Sequence, residues 1–324
     1  MLNIAIILPA YNEEKTIEAT IVSFNSVLPS AEIWVINNRS SDTTEVVARE
    51  VLKRLACRGG VINEFRPGKG SAVRRGFYCI DADLYVLVDA DSTYPAEDLH
   101  TLLTPVQNGM ADMVVGDRHA GGYYARENKR ALHGFGNRLV RDLVNRLFGA
   151  RLSDILSGYR VFSRRFVKTY PILVEGFEIE IDMTLHALDK RLAILELPIR
   201  YRDRPEGSFS KLNTFYDGIK VLRTLFNILR HYRPLLFFGA LALVFFVTGL
   251  IIGTPVVSEF IHTRYVSHVP LAILSTGIEV IAVLLGAIGL ILDSIAHRDK
   301  QTFERDLLLF SVGSIPTTKM KDGS

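Results

Sequence analysis

The stretch Asp83–Pro95, DLYVLVDADSTYP, decides how the rest of the chain reads. Val86, Leu87 and Val88 form a short apolar run rich in branched side chains, the pattern of a buried strand. The run ends in Asp89-Ala90-Asp91, followed by Ser-Thr-Tyr-Pro. Carboxylates two residues apart on an extended chain point the same way, so these acids gather negative charge just past the strand. Oxygen ligands of this kind suit Mg²⁺ or Mn²⁺, above all where substrate phosphates complete the shell. Strand ends in open α/β sheets are also where ligands sit. The competing reading is a helix N-cap, because Pro95-Ala96-Glu97-Asp98 begins a helix and Asp is a good cap. The surroundings have to separate the two.

Upstream, Asn3–Leu8 reads as a buried first strand, and Pro9-Ala10-Tyr11-Asn12-Glu13-Glu14 turns it into a helix carrying Ile17, Ile21 and Phe24 at helical spacing. Ala31–Ile36 is a second strand, ending in Asn37-Asn38-Arg39-Ser40-Ser41-Asp42, with a helix from about Thr43. Val61–Phe65 is a third strand and leads into Arg66-Pro67-Gly68-Lys69-Gly70, then a helix through Arg74 and Phe77. Gly68-Lys69-Gly70 fits neither a Walker sequence nor a dinucleotide fingerprint, and alone it reads as a plain turn with a solvated lysine. Downstream, Met113–Val115 is a fifth strand ending in Gly116-Asp117-Arg118, and Leu192–Tyr201 is a later one. Strands alternating with helices predict an α/β fold, a mainly parallel sheet with helices on both faces. The polar clusters after the strands should then share one edge of the sheet.

Other segments are less regular. Gly121–Lys129 has the composition of a loop over the site. Leu132–Phe148 reads as an amphipathic helix packed on the sheet through Phe135, Leu139, Leu143 and Leu147. Ser153–Phe162, SDILSGYRVF, sets an acid, a hydroxyl, a glycine and an arginine close together, and Glu178, Glu180 and Asp182 lead a helix as ordinary first-turn acids.

The second half turns apolar. Phe215–Tyr232 is a basic amphipathic helix with the stripe Ile219, Leu222, Phe226, Leu229, suited to the headgroup layer of a membrane. Pro234–Gly253 and Val269–Leu292 are each long enough to cross the hydrocarbon layer, joined by the polar loop Ser258–His268. Arg230 and Arg233 precede the first run, and His297, Arg298 and Lys300 follow the second, which puts both flanks in the cytosol. MLNIAIILPAYNEE lacks the pattern of a signal peptide, in agreement. Glu279, inside the second run, is expected to meet a partner helix. The expected organisation is a cytosolic α/β domain over 1–212, the amphipathic helix over 213–233, a two-helix hairpin over 234–296 and a polar tail over 297–324.

Bulk properties agree. The 324 residues are 48% hydrophobic with mean hydropathy +0.19, high for a purely soluble chain. The net charge of +3 makes no case for nucleic acid. Cys57 and Cys79 show no metal-ligand spacing and predict no disulfide. A two-span module of this size also suits association into homo-oligomers.

In order and spacing, LPAYNEE, VINNRSSDTT, GKGSAVRRGF, VDADSTYPAEDL, GDR, SDILSGYRVF, GFEIEIDM and the late SKL resemble the family-two glycosyltransferases of the GT-A fold. The likeness is greatest to the polyprenyl-phosphate glycosyltransferases, the group of dolichol-phosphate mannose synthase and bacterial undecaprenyl-phosphate sugar synthases. The resemblance implies that Pro9, Tyr11 and Glu13 contact the nucleotide, with Asn37 where the family usually has an Asp. It implies Lys69 and Arg74 near the diphosphate, Asp89 and Asp91 as metal ligands around Ala90, and Arg118 on the nucleotide-sugar side. Thr93 stands where some relatives have a metal-binding Gln. Asp91, Asp154 (often assigned as a base) and Arg160 would be catalytic, while Ser157, Arg160 and Asp182 would line the acceptor side, with Ser157 on the lipid phosphate. Arg202, Arg204, Ser210 and Lys211 would hold the lipid phosphate. The implied reaction is metal-dependent inverting transfer of a sugar from a nucleotide-sugar, a UDP-sugar ahead of a GDP-sugar, to a polyprenyl phosphate. An acceptor phosphate with a second pKa of about 6 is already largely ionised at neutral pH, which leaves little need for a base. Two alternatives stay open, an enzyme of the same fold that extends a saccharide and an inactive sugar-nucleotide-binding scaffold. Against the first, a QxxRW motif is absent, the single Trp being Trp34 on a strand.

Overall fold

The computed structural model describes residues 2–119, 131–176, 178–202 and 214–313, the side chains of 131–135, 214–222 and 310–313 excepted. The chain divides into two units, Met1–Asp217 with Arg305–Ser324, and Gly218–Glu304.

In the first unit the elements follow the alternation: β1 (Ile4–Ala10), α1 (Ile17–Val27), β2 (Glu32–Asn37), α2 (Thr44–Arg54), β3 (Arg58–Asn63), α3 (Lys69–Cys79), β4 (Leu84–Leu87). A short 3₁₀ turn at Ala96–Asp98 leads to α4 (Leu99–Gln107), then β5 (Met113–Asp117) and α5 (Ala131–Phe148). The rest is β6 (Arg160–Ser163), α6 (Arg164–Thr169), α7 (Ile179–Asp189) and β7 (Ile194–Pro198). The strands form one sheet in the order β3-β2-β1-β4-β6-β5-β7.

Both faces of the sheet are covered at its centre, so β1, β4 and β5 are buried along almost their whole length, while the edge strands β3 and β7 are partly open. Ile4, Ile6 and Leu8 of β1 join Ile33, Val35 and Val86 against Ile21 and Phe24 of α1, Val51 of α2 and Leu102 of α4. Each such fully buried side chain contributes about 1.5–3 kcal/mol. On the opposite face, a methyl group at Gly76 of α3 would come within 3.0 Å of Ile7, and Phe77 packs edge-on against Tyr85 and Phe162 at 5.9 and 5.6 Å. That close approach of helix to sheet is why a glycine stands at 76.

All ladders are parallel except those of β6, which runs antiparallel between β4 and β5, with Leu87 opposite Arg160 and Val114 opposite Val161. Sequence reading takes SGYRVF as a polar cluster without a strand, and the structure corrects this. The consequence is positional. An antiparallel strand starts where its parallel neighbours end, so residues 153–159 enter the sheet at the carboxyl ends of β4 and β5.

Other boundaries shift. The third strand is Arg58–Asn63 rather than 61–65, leaving Phe65 81% exposed at the sheet edge. On α5 the inward positions include Val140 and Val144, with Leu139 turned 41% to solvent, so the buried stripe is rotated from the expected one.

The second unit comprises most of α8 (Thr214–Tyr232), with α9 (Pro234–Thr263) and the greater part of α10 (Val269–Gly313). Helix α9 runs through Thr263, so the polar link is shorter than expected. Both α9 and α10 are long and apolar enough to cross a bilayer. They meet through small residues: a methyl at Gly249 would touch Glu279 Oε1 at 2.5 Å, one at Gly253 would touch Ser275 Oγ at 2.6 Å, and Ser275 Oγ donates to the Gly249 carbonyl at 2.9 Å. Glu279 thus packs on a partner helix.

Candidate active site

Asp89 and Asp91 lie directly beyond the carboxyl end of β4, in a turn pinned to α1. Thr20 Oγ1 donates to the Ala90 carbonyl at 3.2 Å, and Ser92 Oγ donates to the Thr16 carbonyl at 3.1 Å. Neither acid caps a helix, since the 3₁₀ turn begins at Ala96 and the residue before it, Pro95, makes no side-chain cap. Asp91 is buried, and its Oδ1 accepts from the Thr93 hydroxyl at 2.6 Å and the Thr93 amide at 3.2 Å. Thr93, itself 1% exposed, therefore fixes the orientation of Asp91. Asp89 is partly open, and the Lys69 ammonium bonds its Oδ1. The same ammonium donates to Glu180 Oε1 at 2.5 Å. Burial works against the charge on Lys69, and the two carboxylates outweigh it, holding its pKa above the usual lysine value.

Lys69 arrives there because the glycines beside it let two segments touch. Gly68 has φ 103°, and a methyl on Gly68 or Gly70 would lie 2.0 Å from the Glu175 carbonyl oxygen or 2.2 Å from that of Val174. The Gly70 and Ser71 amides at the start of α3 donate to the Glu175 carbonyl at 2.9 and 3.4 Å. These amides are occupied, so the Gly-Lys-Gly turn is no phosphate cradle. It is the joint that presents Lys69 to both acids.

The loop before β6 forms the next wall. A methyl at Gly158 would meet Asp89 Oδ2 at 2.5 Å, and the Gly158 amide donates to the Tyr94 hydroxyl at 2.9 Å. Arg118, just past β5, forms a two-pronged pair with Asp154, Nε to Oδ2 at 2.7 Å and Nη2 to Oδ1 at 2.9 Å, and its guanidinium lies 5.6 Å from the Tyr201 ring centre. Burial resists ionisation of Asp154, and the Arg118 hydrogen bonds and charge overcome it, so its carboxyl sits below the ordinary carboxylate range. A carboxylate so placed is ionised and engaged, a poor proton acceptor.

Arg160 and Ser157, both 0% exposed, take places behind this wall. Arg160 donates to the Ser157 and Ile155 carbonyls, each at 2.9 Å, and to Thr184 Oγ1 at 2.9 Å. The Arg160 guanidinium, which the resemblance makes catalytic, knits the 155–160 loop, Ser157 included, to α7. Asp182 accepts from the Tyr170 hydroxyl at 2.6 Å, and burial pushes its pKa up.

A second group gathers at the ends of β1 and β2. The Asn12 amide donates to Ser40 Oγ at 3.0 Å and the Glu13 amide to Thr44 Oγ1 at 2.8 Å, stitching the loop of Pro9, Tyr11 and Glu13 to that after β2. Asn37 donates to Glu45 Oε2 at 3.1 Å and to Asn63 Oδ1 at 3.0 Å, and its own oxygen accepts from the Ser40 amide at 3.2 Å. Its amide is committed to protein groups. Arg74 is exposed on α3. Arg202 is also exposed, paired with Glu97 at 3.2 Å, and its amide donates to the Thr93 carbonyl at 2.9 Å, beside the acid pair. Arg204, Ser210, Lys211 and the 121–129 loop lie outside the described residues.

Among the described residues no three His, Cys, Asp or Glu side chains converge as a metal cage. Asp89 and Asp91 are the hard oxygen donors that fit Mg²⁺ or Mn²⁺, and a cationic side chain already drawn onto Asp89 marks that oxygen as a place for positive charge. The residue that sequence reasoning missed is Glu180. Its sign in the sequence was three acids in GFEIEIDM, more than one helix terminus calls for.

A seven-stranded, mostly parallel sheet with acids at the end of its fourth strand has the architecture of a GT-A glycosyltransferase. The family model described as glycosyl transferase family 2 matches residues 5–170, and the chain belongs to that family. Its relatives include glycosyltransferase AglJ of Haloferax volcanii, 30% identical over 93% of this chain and 96% of that protein. Another is the dolichyl-phosphate hexose transferase of the same organism, 26% identical over 70% of this chain and 93% of that one. Among solved structures, glucosyl-3-phosphoglycerate synthase of Mycobacterium tuberculosis, in complex with Mn²⁺ and UDP-glucose, shares the fold at TM-score 0.54 and 22% identity, over 71% of this chain and 78% of that one.

Proposed function

We propose that this glycosyltransferase moves a sugar from a nucleotide-sugar to a polyprenyl phosphate, undecaprenyl or dolichyl, at the cytosolic face of a membrane, with Mg²⁺ or Mn²⁺ as cofactor. The observation that carries the reading is the Asp89–Asp91 pair, attended by Lys69, in a chain that also has two helices of bilayer length. The name of the dolichyl-phosphate hexose transferase relative supports the acceptor class. A UDP-sugar is the donor to try first and a GDP-sugar the second.

Asp89 and Asp91 hold the cation, which when bound neutralises charge on the departing nucleoside diphosphate. Pro9, Tyr11 and Glu13 line the nucleotide side, and Lys69 meets the diphosphate. The acceptor phosphate is received by Arg202 together with Arg204, Ser210 and Lys211. Its oxygen forms the new bond to the anomeric carbon as the bond to the diphosphate oxygen breaks, a single displacement with inversion. Asp154 accepts no proton in this scheme; ionised against Arg118, it sets the arginine facing the site. Arg230, Arg233, His297, Arg298 and Lys300 keep the flanks of the two spans in the cytosol.

The test incubates the full chain in membranes with radiolabelled UDP-glucose, UDP-N-acetylhexosamine or GDP-mannose, a polyprenyl phosphate and Mg²⁺ or Mn²⁺. Label passing into the organic phase, and suppressed by EDTA, is the expected result. Label that extends a saccharide, or no turnover with any donor, would refute it.

A further inference from the structure

Lys69 is the one residue of the acid cluster whose charge has the wrong sign for a metal site. Its ammonium lies on Asp89 Oδ1 and 2.5 Å from Glu180 Oε1, with little exposure of either Lys69 or Glu180. Its backbone is clamped by the contacts of Gly68 and Gly70 with residues 174–175, so only the side chain is free to move. A divalent cation on the same Asp89 oxygen would stand within a few ångströms of the ammonium, and like charges at that range in a poorly solvated place repel strongly.

We propose that Lys69 is a resident counter-cation: before the donor arrives it occupies the Asp89 oxygen that the metal needs, Glu180 steadies it there, and metal loading waits for a diphosphate that can take the lysine over. This rests on the reading of Asp89 and Asp91 as metal ligands. It adds a binding order to that reading. The donor's diphosphate offers the ammonium a new anionic partner at the moment the cation needs Asp89, so each ligand favours the other. Glu180, which touches neither metal nor donor in this scheme, is a positioning residue acting through Lys69.

The experiment measures Mn²⁺ binding by the loss of the free-ion electron paramagnetic resonance signal, using the full chain in detergent with and without UDP or GDP. Wild type is expected to bind Mn²⁺ weakly alone and at least tenfold more tightly with the diphosphate. Lys69→Gln, and the charge-balanced Lys69→Met/Glu180→Gln that spares the fold an unpaired buried acid, are expected to bind Mn²⁺ alone at least tenfold more tightly than wild type, with most of the diphosphate effect gone. A purely structural lysine would lower the melting temperature without tightening Mn²⁺. If the folded double variant binds Mn²⁺ alone no better than wild type, the inference is overturned while the metal site stands. If wild type binds no Mn²⁺ even with diphosphate, the metal reading falls and this one with it.

Discussion

Replacing Arg118 with Ala tests a deeply buried charge pair at the site. Asp154 is 2% exposed, and Arg118 supplies two short side-chain hydrogen bonds and the neutralising charge. Removing one partner of a buried pair costs about 3–5 kcal/mol, because the other charge is left without compensation. For a unit of this size each kcal/mol moves the melting temperature by about 2–4 °C, so Arg118→Ala should melt roughly 6–20 °C below wild type. Arg118→Met/Asp154→Leu, which strands no charge, should recover much of the loss. The pH dependence has a definite sign. In wild type the folded carboxyl is more acidic than the unfolded one, so the pair stabilises the fold above the unfolded pKa of about 3.9, and that contribution fades as pH falls through the folded value. In Arg118→Ala, burial is opposed only by the residue-118 and Leu156 amides and by the His119 ring 4.0 Å away, and it raises the Asp154 pKa above the unfolded value. Its penalty is then full at neutral pH and relieved as acid protonates the carboxyl. Melting curves from pH 7.5 to 4.5 should show the gap to wild type narrowing. A constant gap, or a double variant as unstable as the single one, would refute the argument.

Three further outcomes are expected. Asp91→Ala should abolish both transfer and metal-dependent donor binding with the fold intact by circular dichroism; unchanged turnover would remove the metal site from these acids. Gly158→Ala would place a methyl 2.5 Å from Asp89 Oδ2, and a displacement of about 1 Å at a reacting centre costs about a hundredfold in rate, so label transfer should drop by about that factor; wild-type rates would show that Asp89 has slack. Lys211→Ala should raise KM for the polyprenyl phosphate more than for the nucleotide-sugar, and an effect confined to the donor would reassign the basic segment.

Much of this protein is determined by its sequence read locally. Apolar runs of four to seven residues alternating with helical periodicity specify a covered parallel sheet, because each element must bury the face its own spacing creates. The acids of DADST and the long apolar runs after Pro234 are visible for the same reason: the chemistry lies in adjacent residues. Tertiary structure alone decided the rest. Strand β6 escaped notice because four residues carry too little periodicity, and its antiparallel course, which brings Gly158 onto Asp89, follows from its place between β4 and β5. That the Arg160 guanidinium is used by carbonyls within its own loop and by Thr184 shows only in the fold. Glu180 meets Lys69 across 111 residues of chain. Composition and spacing report what a segment buries; which distant charge it meets is settled only when the sheet has set its strand ends side by side.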